Sequence, residues 1–507
     1  MDQGDENSER FEMDLLYKST RGDRKAVSSA EAVVRGIAPD GGLYVPSRIP
    51  LLDKPFDKLA DMDYRELAAY IMAKFFVDIP HSILTECIKG AYDSKYDDSR
   101  IVPVIEKAEA YFIELFHGPT LAFKDMALTI LPHILKAASR IMDIDKEIVI
   151  LTATSGDTGK AALEGFSGIE GTRIIVFYPK NGVSKVQERQ MTTQEGKNTH
   201  VIAIEGNFDD AQKGVKAIFG DREYGDKLAG KGLMFSSANS INIGRLVPQV
   251  VYYVFSYLDL IKRSRITAGE KINIVVPTGN FGNILAAYYS KKMGLPVGKL
   301  ICASNINNVL YDFINTGIYD RKRKFIVTSS PAMDILVSSN LERLLYDLAG
   351  EDAQLIDRLT GELADKGEFE ITDEMKQGLS GFYGGFATEE ETFSTIKDLY
   401  MKSGYLIDTH TSVGYTVYKK YIKDTADDTP AVIASTASPF KFPGSVASAI
   451  DEKYAGMDEF SLLKVLSDMT GIKIPGPLAG IEDKKVIHNK SCATGEMKDV
   501  VAGILGI

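Results

Sequence analysis

Cysteine is scarce and badly placed for any structural use. The chain has three, Cys87, Cys302 and Cys492, an odd number far apart in sequence. No disulfide framework and no CxxC metal or redox pair follows from them. The six histidines are scattered too, with none at HxxxH spacing, so a zinc site built from Cys and His is not expected. Basic charge is also in deficit. Against 59 Lys+Arg stand 70 Asp+Glu, a formal net charge of −11 over 507 residues. That excludes the basic face of a nucleic-acid-binding protein and electrostatic docking on an anionic membrane. No apolar run approaches the ~18 residues that a membrane helix needs. The acidic start, MDQGDENSERFEMD, lacks the charged-then-apolar order of a signal peptide. The expectation is a soluble, cytoplasmic protein that contacts neither nucleic acid nor membrane.

What the chain has is a strand–helix rhythm. From about Lys146, short apolar runs alternate with helical stretches: EIVILTAT (147–154), RIIVFYP (173–179), HVIAIEG (200–206), KINIVVPTGN (271–280), KLICASN (299–305) and AVIASTAS (431–438). Apolar runs of this length between helices mark strands buried on both faces of a parallel sheet. The fold class is α/β with doubly wound sheets. Residues 1–100 lack the rhythm and read as a separate N-terminal domain. Residues 340–430 read as a charge-rich helical insertion. No repeat, low-complexity segment or long linker interrupts the chain.

Four segments carry candidate chemistry. In FIELFHGPTLAFKDMAL (112–128) a strand leads to a helix start near Phe123, and Lys124 sits there among apolar neighbours. The helix dipole disfavours a cation at that end. Desolvation would free a neutral amine able to form a Schiff base with a carbonyl cofactor. The plain alternative is a surface lysine flanked by Asp125. TATSGDTGKAA (152–162) is a strand running into a hydroxyl- and glycine-rich turn whose N–H groups suit an anion. It is no Walker loop, because Gly156 and Gly159 bracket two residues instead of four and Lys160 precedes alanine. Ordinary capping by Ser155 or Asp157 is the alternative. PTGNFGNIL (277–285) suits a monophosphate better than a dinucleotide, since the three-glycine pattern is missing; a tight turn is the alternative. In SSANSINIGRLVPQVVYY (236–253), Asn239, Ser240, Asn242 and Arg245 precede an apolar helix. They suit a phosphate or carboxylate, or simple capping beside a surface arginine. Together, one Schiff-base lysine and several anion-binding turns fit a phosphorylated cofactor with an anionic substrate.

On these residues the chain resembles the threonine synthase family, pyridoxal-phosphate (PLP) enzymes of the tryptophan-synthase-β fold type. YKSTRG (17–22), APDGGLYVPSRIP (38–50), HGPTLAFKDMAL, TSGDTGKAA, SSANSINIGR, GNFGN, DTHTSVGY (408–415) and STASPFKFP (435–443) all resemble family signatures. The likeness is to the longer branch, which carries an N-terminal domain. The resemblance implies a fold-type-II enzyme: an N-terminal domain 1–100, a large PLP domain of 101–145 and 237–507, and a small α/β domain 146–236. It implies that Lys124 holds pyridoxal 5'-phosphate beside Phe123. Gly279, Asn280, Phe281, Gly282 and Asn283 then bind its phosphate, and Thr436 faces the ring nitrogen. Thr154, Ser155, Asp157 and Thr158 lie in the segment cradling the substrate carboxylate; Asn239, Ser240 and Arg245 grip the substrate phosphate. The implied reaction is that of a carbon–oxygen lyase: O-phospho-L-homoserine plus water gives L-threonine plus phosphate. A phospho-lyase releasing a 2-oxo acid and a non-catalytic ligand-binding relative are the alternatives. Monomer and homodimer both remain open. The chain departs from the family at Ser438 and Phe440, where His and Ala are common, and at Thr409, where proline is common. Pro132 is expected to kink or end the helix that follows Lys124.

Overall fold

The computed structural model describes residues 15–23, 25–154 and 156–507. Two sheets organise the chain. The larger has six strands in the order Phe382–Phe386, Val297–Ser304, Ile272–Pro277, Ala431–Ser435, Ala110–Glu114 and Val104–Lys107. The first five run parallel, and Val104–Lys107 pairs antiparallel at the edge. The smaller sheet is parallel throughout, in the order Lys490–Ala493, Thr199–Glu205, Thr172–Pro179, Glu147–Ala153 and Leu233–Ser236. The central strands are apolar because helices cover both faces; Ile272–Pro277 and Ala431–Ser435 are buried at every residue. The architecture is α/β, as the rhythm of apolar runs indicates.

Strand order fixes where a ligand can sit. In the larger sheet the chain goes from Ala110–Glu114 to Ile272–Pro277 and leaves a gap that Ala431–Ser435 later fills. The carboxyl ends of these three neighbours lead directly to Lys124, to Thr278–Asn283 and to Thr436. In the smaller sheet, adjacent strands lead to Thr154–Asp157 and to Ala238–Arg245. Crevices at the carboxyl ends of parallel strands, where strand order reverses, are where open α/β sheets bind ligands.

The N-terminal region does not keep a core to itself. Tyr17, Val33, Leu67 and Ile71 share one continuous cluster with Leu246 and Val250 of the long helix Ile243–Lys262. Arg343, fully buried, ties the layers: its Nε donates to the Tyr44 carbonyl at 3.0 Å and its Nη groups to the Ile241 carbonyl and the Asn340 side-chain oxygen.

Four strands differ from the expected pattern, all at sheet edges, Val104–Lys107 among them. Phe382–Phe386 lies inside the stretch expected to be a helical insertion, and the helix Thr409–Thr425 packs directly on the large sheet. Gly384 and Gly385 remove the side chains that would show a strand's alternation. Lys490–Ala493 pairs with Thr199–Glu205, so the chain end belongs to the smaller sheet, where Met497 and Val501 join its core; the expectation placed 237–507 entirely in the larger unit. Leu233–Ser236 is only four residues long. Pro132 falls in the first turn of Leu131–Ile141, just after the short helix Asp125–Leu128 ends, the position proline tolerates. Among the described residues no helix is long and apolar enough to cross a membrane, and no His/Cys/Asp/Glu group could hold a metal ion.

Candidate active site

Lys124 stands at the N-cap of the helix Asp125–Leu128. Its side chain keeps 11% of its surface, so the amine is sheltered yet reachable. The Nζ lies 3.5 Å from Asp157 Oδ2 and 5.4 Å from the centre of the Phe123 ring. Burial lowers the amine's affinity for its proton, Asp157 partly restores it, and Lys441 and Arg245 lower it again; the net shift is downward. The neighbouring Asp125 is no surface carboxylate. It is fully buried, accepts from the Thr120 amide at 2.8 Å and its hydroxyl at 2.5 Å, and is pushed by burial up to about 6. The segment is tied to the large sheet where the Phe123 amide donates to the Thr436 carbonyl at 2.8 Å. Thr436 is itself buried.

The turn Thr278–Asn283 is shaped by its backbone. Phe281 is buried in the left-handed region, at φ 61°, a conformation of about 1–3 kcal/mol that only surrounding packing maintains. A Cβ at Gly279 would meet the Ala332 carbonyl at 2.6 Å, so only glycine fits. The helix Gly282–Lys292 starts here, and its first amides have no intrahelical acceptor. The turn is braced from outside. Ser338 donates its hydroxyl to the Gly279 carbonyl at 2.8 Å, and Asn340 donates both its amide and its side-chain Nδ2 to the Asn280 carbonyl at 3.1 and 3.0 Å. Asn283 accepts from the hydroxyls of Tyr252 and Tyr253, while its Nδ2 is buried with no partner.

In the smaller sheet, Thr154 spends its hydroxyl within its own turn, accepting from the amides of Gly156 at 3.0 Å and Gly159 at 2.9 Å. Ser155 lies outside the described residues. Thr158 is half-buried on the first turn of Asp157–Phe166. Asp157 is buried and crowded by donors: Lys124 on Oδ2, then Lys441 at 3.3 Å and the Gln187 Nε2 at 2.8 Å on Oδ1. Burial alone would raise this carboxyl, but Lys441 and Lys124, aided by His410 and Gln187, hold it well below the usual carboxylate range. An ionised carboxylate only accepts, so a carboxylate guest here is held by backbone amides and cations and never by Asp157 itself.

In the fourth segment, Asn242 is a fully buried cap: its Nδ2 donates to the Val33 and Ser237 carbonyls and its Oδ1 accepts from Gly244. Asn239 is exposed. Ser240 lies 3.5 Å from the Ser339 hydroxyl and 3.4 Å from the Asn340 Nδ2, which links this segment to the brace of the 278–283 turn. Arg245 is 5% exposed, and burial lowers its guanidinium to about 10. Its Nη1 donates to the Ala238 carbonyl at 2.8 Å, its Nε has no partner, and it pairs with no carboxylate among the described residues.

The structure thus brings Lys124, Asp157 and Arg245 within electrostatic reach of one another and joins Thr436 to the lysine segment. Two buried donors, Asn283 Nδ2 and Arg245 Nε, lack acceptors, and two lysines share one carboxylate. Such a place suits a guest that carries a carbonyl and anionic groups. Sequence reasoning missed Lys441, Gln187 and the brace at Ser338 and Asn340. Lys441 had a usable signal, a lysine between Phe440 and Phe442, the same apolar flanking that drew attention to Lys124. The family departures are accommodated: Ser438 caps the turn Pro439–Lys441, Phe440 is buried, and Thr409 donates its hydroxyl to the Ser329 carbonyl at 2.8 Å.

Comparison with known proteins bears on the whole chain. Residues 16–92 match the family described as threonine synthase N terminus, 107–436 pyridoxal-phosphate dependent enzyme, and 411–473 threonine synthase, C-terminal. Threonine synthase-like 1 of Pongo abelii is 40% identical over 458 residues, 87% of this chain and 61% of that protein. The chain therefore spans less than two thirds of such a relative's length. Threonine synthase of Saccharomyces cerevisiae is 36% identical over 480 residues, 89% of this chain and 91% of that one. The crystal structure of PLP-bound threonine synthase from Brucella melitensis matches with a TM-score of 0.86 at 35% identity, covering 97% of this chain and 99% of that one.

Proposed function

The chain belongs to the threonine synthase family of pyridoxal-phosphate-dependent enzymes, and from that premise we propose that it converts O-phospho-L-homoserine and water to L-threonine and phosphate. The observation that carries this reading is the sheltered Lys124 amine at the meeting of both sheets' carboxyl ends, among buried donors that lack partners. Lys124 would hold pyridoxal phosphate covalently, beside Phe123. Gly279 to Asn283 would hold its phosphate on the first amides of Gly282–Lys292, and Thr436 would offer its hydroxyl to the ring nitrogen. When bound, the cofactor supplies an electron sink for the bonds around the substrate's amino-bearing carbon.

The residues divide the remaining work. Lys124 would be the amine that moves protons: off Cα, off Cβ, onto Cγ once phosphate has left, and back to Cα at the end. Arg245, with Asn239 and Ser240, holds the phosphate while the Cγ–O electron pair leaves with it, where negative charge grows. Water supplies the hydroxyl that ends on Cβ. Thr154, Ser155 and Thr158 belong to the turn whose amides would take the substrate carboxylate; Asp157 anchors the lysines around it. We propose the same division of labour for the chain at large: residues 1–100, a large unit of 101–145 with 237–489, and a small unit of 146–236 completed by 490–507. A cytoplasmic enzyme with a small-molecule substrate is the setting this reading assumes.

The test is direct. Addition of pyridoxal phosphate should produce a visible absorbance band, and borohydride should fix one cofactor on the peptide containing Lys124. O-Phosphohomoserine should then yield threonine and phosphate in equal amounts. Lys124→Ala should lose turnover entirely while still binding cofactor reversibly. 2-Oxobutyrate as the main product, or near-normal activity of the variant, would overturn the reading.

A further inference from the structure

Lys441 has no part in the chemistry proposed above, yet its side chain is 0% exposed. It ends the short turn Pro439–Lys441, where the chain passes from Ala431–Ser435 to the helix Pro443–Ile450. Its Nζ donates to the Thr120 carbonyl at 2.6 Å and stands 3.3 Å from Asp157 Oδ1. The other oxygen of the same carboxylate faces Lys124 at 3.5 Å. One buried carboxylate is therefore shared by two amines: one sealed in the interior, the other still reachable.

We propose that Lys441 is a positioning residue that holds Asp157 from its far side, so that the carboxylate does not close fully on Lys124 and the Lys124 amine stays free to lose its proton and condense with the aldehyde of pyridoxal phosphate, the carbonyl oxygen leaving as water. The inference rests on reading Lys124 as the cofactor lysine. Its electrostatics follow from the groups that face the pair. Lys124 feels Asp157 from the helix Asp157–Phe166, Lys441 from its turn and Arg245 from Ile243–Lys262. Asp157 also feels His410 from Thr409–Thr425. Lys441 also acts on Asp125 and on Lys160, which in turn feel Glu164. Removing the Lys441 charge leaves Asp157 with one amine instead of two and deletes a cation that repels the protonated Lys124. Both changes favour the protonated form. The neutral, reactive fraction of Lys124 then falls tenfold for each unit by which its titration moves up.

The experiment follows cofactor uptake instead of turnover. Full-length protein stripped of cofactor is mixed with pyridoxal phosphate from about pH 6 to about pH 10, a span that brackets a lowered lysine. Appearance of the visible band gives the rate, and borohydride-fixed peptide confirms Lys124 as the site. In the wild type the rate should rise with pH to a plateau. Lys441→Met should move the midpoint up by about one unit and slow uptake near neutrality about tenfold, with the plateau retained. Lys441→Arg keeps the charge and should restore the wild-type midpoint. Asp157→Asn leaves Lys124 facing cations alone and should move the midpoint down. An unchanged midpoint in Lys441→Met, or an equal shift in Lys441→Arg, would overturn the proposal. If Lys441→Met does not fold, Asp157→Asn decides: a midpoint that stays or rises is fatal to it. A wild-type protein that takes up no cofactor at Lys124 overturns the underlying reading instead, and that result is distinct from all the others.

Discussion

The turn after Ile272–Pro277 and the turn after Glu147–Ala153 share a plan: a parallel strand, a glycine-bearing bend, a helix. Their charges do not match. From Thr278 to Asn283 no side chain can ionise, and the polar groups are fixed from outside by Ser338, Ser339 and Asn340. The other turn places Asp157 at the first position of its helix, where the macrodipole favours an anion, and then surrounds it with Lys124, Lys441 and Gln187. On the proposed reading the first turn would hold a resident anion with neutral donors, indifferent to pH. The second already contains its own anion, so what it does to a guest depends on the balance of cations around it. On that reading one turn would serve constant binding and the other would adjust proton affinity.

The harshest way to break this comparison is to charge the neutral turn. Asn283→Asp changes one Nδ2 to oxygen and keeps the acceptor that Tyr252 and Tyr253 use. A carboxylate about 4 Å from a phosphate costs about 4 kcal/mol at an effective dielectric of about 20. Cofactor affinity should fall by about three orders of magnitude, measured by titrating stripped protein with pyridoxal phosphate. Affinity within a few-fold of wild type would mean that the phosphate lies elsewhere and that the neutrality of this turn is incidental.

Both turns were visible in the sequence because each follows a largely apolar strand, and Lys124 because it stands at a helix start among apolar neighbours. The charge balance was not visible. Lys441 meets Thr120 across 321 residues of chain; no local pattern encodes that contact. Asp157 reads as a helix cap from its neighbours and becomes an ionic hub only when the turn Pro439–Lys441 is laid against it. The edge strands Val104–Lys107, Leu233–Ser236, Phe382–Phe386 and Lys490–Ala493 escaped notice for a related reason. Edge strands are short and half-covered, so they need neither the apolar run nor a clean alternation. Asn340, which braces the first turn, and Arg343, which fixes Asn340 in turn, likewise show their use only once the chain is folded.

Arg245 sharpens the comparison by separating two phosphates. If the neutral turn holds the cofactor's phosphate and Arg245 the substrate's, Arg245→Ala should lower kcat/KM for O-phosphohomoserine about 10–100-fold, the worth of about 1.5–3 kcal/mol for bonds to a charged group. Cofactor affinity should stay within a few-fold. Equal losses of both would show one shared anion site in place of two. The unpartnered Nε and the absence of a carboxylate partner among the described residues make Arg245 the side chain with most to gain from a substrate phosphate.

The smallest effect tests whether the turns are independent at all. Thr154 Oγ1 accepts from the Gly156 and Gly159 amides, and the methyl that valine puts in its place accepts nothing. Thr154→Val should cost about 1–2 kcal/mol of local stability, as loss of a helix cap does. Hydrogen exchange reads this where it occurs: the Gly156 and Gly159 amides should exchange about 5–30-fold faster. The amides of Thr278–Asn283 should keep their rates, because their brace comes from Ser338 to Asn340 and none of it passes through Thr154. Acceleration at both turns together would mean that they open as one unit. The contrast between a fixed neutral turn and an adjustable charged one would then describe chemistry alone, since the two would share a single mechanical fate.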